Sequence, residues 1–178
     1  MAKKKIATVW LGGCSGCHMS LLDIDERILE VAKLADIVKS PVVDAKDFEE
    51  ADVVLIEGAV ANEEHVEEIQ HLRKKAKVLV AFGDCAVSGN VTAIRNAVTK
   101  EQALERSYID VESNVEGFTP KDPEVSKLID RVEPLHRHVK VDFYLPGCPP
   151  SADTIFYVLN ELLHDRMPVL DEDKVKMG

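Results

Sequence analysis

Three short apolar runs in this chain each lead into a loop that carries cysteine. Ile6–Leu11 precedes Gly12-Gly13-Cys14-Ser15-Gly16-Cys17, Val78–Phe82 precedes Gly83-Asp84-Cys85, and Val139–Leu145 precedes Pro146-Gly147-Cys148-Pro149-Pro150. Apolar runs of this length suit strands of a parallel sheet that is buried on both faces. In an open parallel sheet the loops at the carboxyl ends of the strands lie along one edge, where ligands bind. Strands placed in this way allow all four cysteines of the chain to converge, although the loops are far apart in sequence.

The intervening segments alternate with these runs at helical period. Ser20 is read as the cap of a helix that buries Leu21, Leu22, Ile24, Ile28, Leu29 and Val31. Asp36–Val43 is a shorter strand interrupted by Pro41, and Val53–Ile56, bounded by Asp52 and Glu57-Gly58, reads as a central strand. Asn62 is placed to cap a helix running to about Lys75, with Val66, Ile69 and Leu72 on one face. Ser151 is placed to start another, with Ile155, Val158, Leu159, Leu162 and Leu163 inward. The expected fold is therefore α/β, a single domain over 1–178 with crossover helices. Residues 97–138 break the rhythm. Two helices are expected there, one from the pattern Thr99-Lys100-Glu101-Gln102 and one from Asp122-Pro123-Glu124, with Val111–Lys121 as loop between them. Such an excursion serves either as a partner surface or site wall, or simply as a decorated edge. The polar tail after Pro168 is expected to be loosely held.

The net charge of -10 argues against nucleic acid or an anionic membrane surface as the main partner. No apolar run reaches the length of a membrane span, and the first residues carry neither a usual secretory signal nor a twin-arginine pair. The chain is accordingly read as cytoplasmic, where thiols stay reduced, so that four cysteines suggest a metal or redox site rather than disulfides. Several readings stay open. Four thiolates suit one [4Fe–4S] cluster. Zinc also takes four cysteines, though structural zinc sites usually show two close pairs, whereas this chain has one pair and two singles. A thioredoxin-like dithiol would use Cys14 and Cys17 alone, and buried cysteines with no ligand remain the plainest alternative. A flavin could bind at the same sheet edge, but Cys14–Cys17 occupies the place of a phosphate loop.

Other residues near these loops have two readings each. Glu57, at the end of its strand, either assists proton movement or shapes a partner junction, or else caps a nearby loop amide. His18 either lines the site or, as the favoured reading, is exposed or helix-capping; Asp84 is expected to make a structural hydrogen bond, Trp10 to pack in the core, and His136 and His138 to be exposed. Glycines beside the cysteines allow backbone N–H groups to approach sulfur, and helices starting at Ser20 and Ser151 would aim their positive ends at the site.

Leu11-Gly12-Gly13-Cys14-Ser15-Gly16-Cys17-His18-Met19-Ser20-Leu21-Leu22-Asp23 resembles the first cluster motif of nickel–iron hydrogenase small subunits. Gly83-Asp84-Cys85-Ala86 and Asp142–Ser151 resemble the second and third ligand segments, and Ile56-Glu57-Gly58-Ala59-Val60 a segment after the second core strand. The resemblance runs from about Ile6 to Leu163. It implies a flavodoxin-like open parallel sheet with helices on both faces, and one proximal [4Fe–4S] cluster on Cys14, Cys17, Cys85 and Cys148. It also implies a large subunit with the nickel–iron centre. The related small quinone-reductase subunit of respiratory complex I carries adjacent cysteines at its first motif, where this chain has a spaced pair. Gly13 stands where many members carry Glu, so a proton role for that Glu does not transfer. Members with medial and distal clusters, and coenzyme-F420-type relatives, carry further cysteines. The four-cysteine pattern most resembles the small subunit of soluble NAD-reducing hydrogenases, whose diaphorase subunits hold iron–sulfur clusters and flavin.

Overall fold

The computed structural model describes residues 2–45, 47–172 and 174–175. Met1, Lys46, Asp173 and 176–178, the last part of the polar tail, lie outside the described residues.

Five parallel strands form the main sheet: β1 (Lys4–Trp10), β2 (Ala35–Lys39), β3 (Ala51–Glu57), β5 (Ala76–Phe82) and β7 (Phe143–Leu145), in the order β2-β1-β3-β5-β7. A two-stranded antiparallel ribbon of β4 (Val60–Asn62) and β6 (Leu128–Glu133) stands beside it. Counting the main-sheet strands alone, the order is the 2-1-3-4-5 of flavodoxin-like folds, whose connections reverse direction between the first and third strands. Ligands bind at that reversal, which here lies between the ends of β1 and β3.

The central strand β3 is buried at every residue but Asp52, because helices cover both faces of the sheet. On one face α1 (Gly16–Leu22), α2 (Ile28–Leu34) and α6 (Ala152–Leu163) enclose Ile6, Val53, Leu55, Val80 and Phe82 together with Ile155, Val158 and Leu159. On the other, α3 (Glu63–Lys75) lays Ile69 and Leu72 against Ala7, Val54, Ile56 and Leu79. Two helix starts form as the sequence predicts. The Asn62 side chain accepts from the His65 N–H at 2.8 Å, and the Ser151 hydroxyl accepts from the Thr154 N–H at 3.2 Å.

Five expectations are corrected. Ser20 does not cap a helix. It lies inside α1, which begins at Gly16, and a 3-10 turn (Asp25–Arg27) separates α1 from α2. That break rotates Leu22 and Leu29 outward, so they are exposed, while Ile24 and Val31 are buried. The strand expected over Val139–Leu145 shortens to Phe143–Leu145; its first expected residue, Val139, instead donates its N–H to the Leu135 carbonyl at 3.1 Å, extending a 3-10 turn over Leu135–Arg137. The second helix of the excursion does not form. After α4 (Asp84–Ser88), a 3-10 segment (Asn90–Ala97) and α5 (Lys100–Tyr108), the chain runs irregularly to β6, which pairs with β4. Thr99 and Gln102 do form the reciprocal cap on α5. The described part of the tail is also held: the Tyr157 hydroxyl donates to the Val169 carbonyl at 3.2 Å, and Leu170 packs on the core.

Candidate functional site

The parallel pairing places Trp10 opposite Glu57, Glu57 opposite Phe82, and Phe82 opposite Leu145. Four strands therefore end on one line, and every cysteine loop leaves from it. Cys14 and Cys148 are exposed, whereas Cys17, at the start of α1, and Cys85, in α4, are buried.

Backbone and short polar side chains tie the loops together. The Gly83 N–H donates to the Leu145 carbonyl (2.8 Å), and the Asp84 N–H to the Gly147 carbonyl (2.9 Å). The Asp84 carboxylate accepts from the Gly147 N–H at 2.7 Å, the structural hydrogen bond expected of it. The Ser20 hydroxyl donates to the Pro150 carbonyl at 2.6 Å, fixing α1 to the third loop. Gly83 has φ 83°, and a Cβ placed on it would lie 2.2 Å from the Cys17 sulfur. Only glycine fits there, and its bareness brings the first loop against the second.

The four thiols share one electrostatic neighbourhood. Burial pushes the Cys17 thiol far up from its ordinary value, and the charges of Glu57, Cys14, Cys85 and Cys148 add to the push. Burial likewise raises Cys85, with Cys14 and Cys148 adding and a backbone N–H of Thr92 opposing. Such thiols stay protonated in isolation, and a cationic iron core is the kind of partner that makes them thiolates. The donor set thus fits an iron–sulfur cluster. Among the described residues, no three His, Cys, Asp or Glu side chains close on a single metal ion.

Glu57 is 2% exposed at the end of the central strand. Its carboxylate accepts the N–H groups of Cys17 (3.2 Å) and His18 (2.9 Å) and meets the His18 Nδ1. The exposed or helix-capping reading of His18 is overturned. The ring is buried behind the first cysteine loop, edge-on to Trp10 at 5.5 Å and tilted against Phe82 at 5.9 Å. Its partner lies 39 residues away, so no local pattern marks it. Trp10 in turn is 44% exposed rather than core. His136 is exposed, while His138 is half-buried and faces Glu133 at 2.9 Å.

One residue near the sulfurs escaped the sequence reading altogether. The side-chain amide of Asn90 donates to the Cys148 sulfur at 3.3 Å. The available signal was the Gly89-Asn90 pair directly after the Cys85 helix, a turn-forming dipeptide within reach of the site.

The family described as NADH ubiquinone oxidoreductase, 20 Kd subunit, matches residues 14–162. A subunit of the F420-non-reducing hydrogenase of Methanothermobacter marburgensis is 44% identical over 169 residues, covering 92% of this chain and 54% of that protein. The chain thus spans about half the length of the curated relatives of that type. The delta subunit of the NAD-reducing hydrogenase HoxS of Cupriavidus necator is 37% identical over 168 residues, covering 92% of this chain and 80% of that protein. A chain of a solved NAD+-reducing [NiFe]-hydrogenase in the H2-reduced state superimposes with a TM-score of 0.96 at 40% identity, over 99% of this chain and 100% of that one. No helix among the described residues is long and apolar enough to cross a membrane.

Proposed function

This chain belongs to the NADH ubiquinone oxidoreductase 20 Kd subunit family, and on that premise we propose that it is the electron-transfer small subunit of a cytoplasmic, NAD-reducing nickel–iron hydrogenase. The observation that carries this reading is that the three loops bearing all four cysteines leave from one line of strand ends, Trp10, Glu57, Phe82 and Leu145. Cys14, Cys17, Cys85 and Cys148 are the residues that would hold one [4Fe–4S] cluster. When bound, such a cluster supplies a one-electron relay at low potential. Residues 1–178 act in this reading as one cluster-binding unit.

The chain's own residues build the junction around that relay. Glu57 holds the Cys17–His18 backbone by two hydrogen bonds, and this junction-shaping is the role assigned to it. Gly83 leaves room for the Cys17 sulfur, and Asp84 locks the Cys85 loop to the Cys148 loop. Cys14 and Cys148 face outward, and Trp10, Met19 and Leu22 are exposed on the first cysteine segment and its helix. Exposed apolar side chains in this position suit a protein partner. With all four thiols committed to the cluster, none is left for nickel. Hydrogen cleavage therefore falls to a large subunit, and NAD reduction to diaphorase subunits with iron–sulfur clusters and flavin. The near full-length superposition on a chain of an NAD+-reducing enzyme supports this assignment.

A second reading has its own support: identity is higher, at 44%, to the relative from an F420-non-reducing hydrogenase. In that case the same relay feeds a different acceptor.

The test is to measure iron, acid-labile sulfide and zinc in this chain purified anaerobically with its large subunit alone, then hydrogen-dependent reduction of NAD+ and of a viologen dye by the full complex. Near four irons and four sulfides on this chain, with NAD+ reduction, are expected. Dye reduction without NAD+ reduction selects the second reading. Zinc without sulfide overturns both.

A further inference from the structure

The segment after Cys85 turns back onto the cysteine site. Helix α4 ends at Ser88, and the next two residues, Gly89 (φ 90°) and Asn90 (φ 36°), both take left-handed backbone. Asparagine is one of the few residues besides glycine that enters this region readily. The turn is fastened on both sides. The Gly89 N–H donates to the Cys85 carbonyl at 2.9 Å, and the Gly89 carbonyl accepts from the Thr92 hydroxyl at 2.6 Å and the Ala93 N–H at 3.1 Å.

The consequence is an N–H donor aimed at the sulfur of another loop. The Asn90 amide reaches Cys148, 58 residues further along the chain, at 3.3 Å. Asn90 is itself exposed, so its amide could be satisfied by water at no structural cost. The side chain is instead fixed on a sulfur by a left-handed turn that suits asparagine.

We propose that Asn90 sets the reduction potential of the [4Fe–4S] cluster by donating its side-chain amide to the Cys148 sulfur. The inference rests on the reading of the four cysteines given above and extends it to a residue that is not a ligand. An N–H donor on a ligand sulfur draws off negative charge and favours the reduced, more negative core, which raises the potential. Cys148 is one of the two exposed thiols, so a fixed amide there replaces the shifting hydrogen bonds of solvent. Asn90 acts only through Cys148 and is a positioning residue.

The experiment is a redox titration followed by electron paramagnetic resonance on the anaerobic complex of this chain with its large subunit. Asn90→Gly keeps the left-handed turn and deletes the amide. Asn90→Asp keeps the shape and replaces the donor with a negative acceptor. With iron and sulfide unchanged, the midpoint potential is expected to shift negative in Asn90→Gly and further negative in Asn90→Asp. An unmoved midpoint in both variants overturns the proposal and leaves the cluster reading standing. Loss of iron from Asn90→Gly also overturns it, because the amide would then be a structural clamp. A native complex without iron and sulfide overturns the cluster reading, and this proposal with it.

Discussion

The Cys17 backbone N–H donates to the Glu57 carboxylate at 3.2 Å, across 40 residues of sequence, so the end of the central strand holds the start of the first cysteine helix. Glu57 thereby does the work of a cap that the Ser15 side chain leaves undone, since Ser15 makes no capping hydrogen bond. Glu57→Ala strands two buried N–H groups. The expected cost is about 2–4 kcal/mol, a fall in Tm of roughly 5–15 °C, read by thermal unfolding. Glu57→Gln keeps one of the two acceptor oxygens, so it can hold the His18 N–H but not the Cys17 N–H as well; its stability should fall between those of Glu57→Ala and the native chain, while the hydrogen turnover proposed for the complex stays at its native rate. A large loss of turnover in Glu57→Gln with the iron intact would assign a proton-transfer role in place of the junction role.

Gly83→Ala places a methyl group where the Cys17 sulfur already lies, at a φ of 83° that alanine tolerates poorly. The neighbouring Gly147 carbonyl is 3.5 Å from the same point, so the second loop has little room to retreat. The sulfur is therefore the atom that must move. The expected outcome is a chain that folds but carries less than half the native iron and sulfide, measured after anaerobic purification. A native iron content would show that the first loop is free to shift.

The parts of this structure that were legible in the sequence are those set by neighbours along the chain. Asn62 and Ser151 cap helices within three residues of themselves, and the three cysteine loops are punctuated by glycine and proline. What was misread is set across the fold. The helix start at Gly16 depends on Glu57, and the burial of His18 depends on the same carboxylate. The Asp122-Pro123-Glu124 pattern is a sound local helix start, yet Leu128–Glu133 forms a strand because Val60–Asn62 offers it a partner. Of the site, the cysteines were visible because their residue type is rare and chemically specific. Asn90 was not, because an asparagine after glycine is ordinary until Cys148 is folded against it.

Asp142 joins the last sheet strand to its neighbour. Its carboxylate accepts from the Leu79 N–H at 2.9 Å and from Arg73, and its own N–H donates to the Leu79 carbonyl at 2.9 Å. Partial burial pushes the carboxyl upward, but the Leu79 N–H and the Arg73 guanidinium outweigh it and hold it below the ordinary value. A carboxyl lowered on folding binds its proton less readily in the native state. Its contribution is thus present above about pH 4, where the unfolded group is ionised, and is lost as the pH falls through the native value. Asp142→Asn is expected to cost about 1–2 kcal/mol at pH 7, after allowance for solvent screening, in urea unfolding. At pH 3 the difference between variant and native chain should shrink. A gap of equal size at both values would mean that the charge contributes nothing.

Asn96 grips both backbone groups of Val132: its side-chain oxygen accepts the Val132 N–H at 2.7 Å, and its side-chain nitrogen donates to the Val132 carbonyl at 2.8 Å. Val132 is the buried residue of β6, packed with Ala59 and Cys85 in a small cluster beside the cysteine site. The ribbon partner β4 spans only three residues, so strand pairing alone is a weak tether, and the Asn96 clamp carries much of the attachment. Asn96→Ala removes both hydrogen bonds and leaves two backbone groups partly buried without partners, at a local cost of about 1–3 kcal/mol. Hydrogen exchange at the Val132 amide should speed up by about 10- to 100-fold, while the amides of β3 exchange at native rates. Uniform acceleration across β3 and β6 would instead mean that the ribbon unfolds only together with the main sheet, and that the excursion is an integral part of the sheet's cooperative unit.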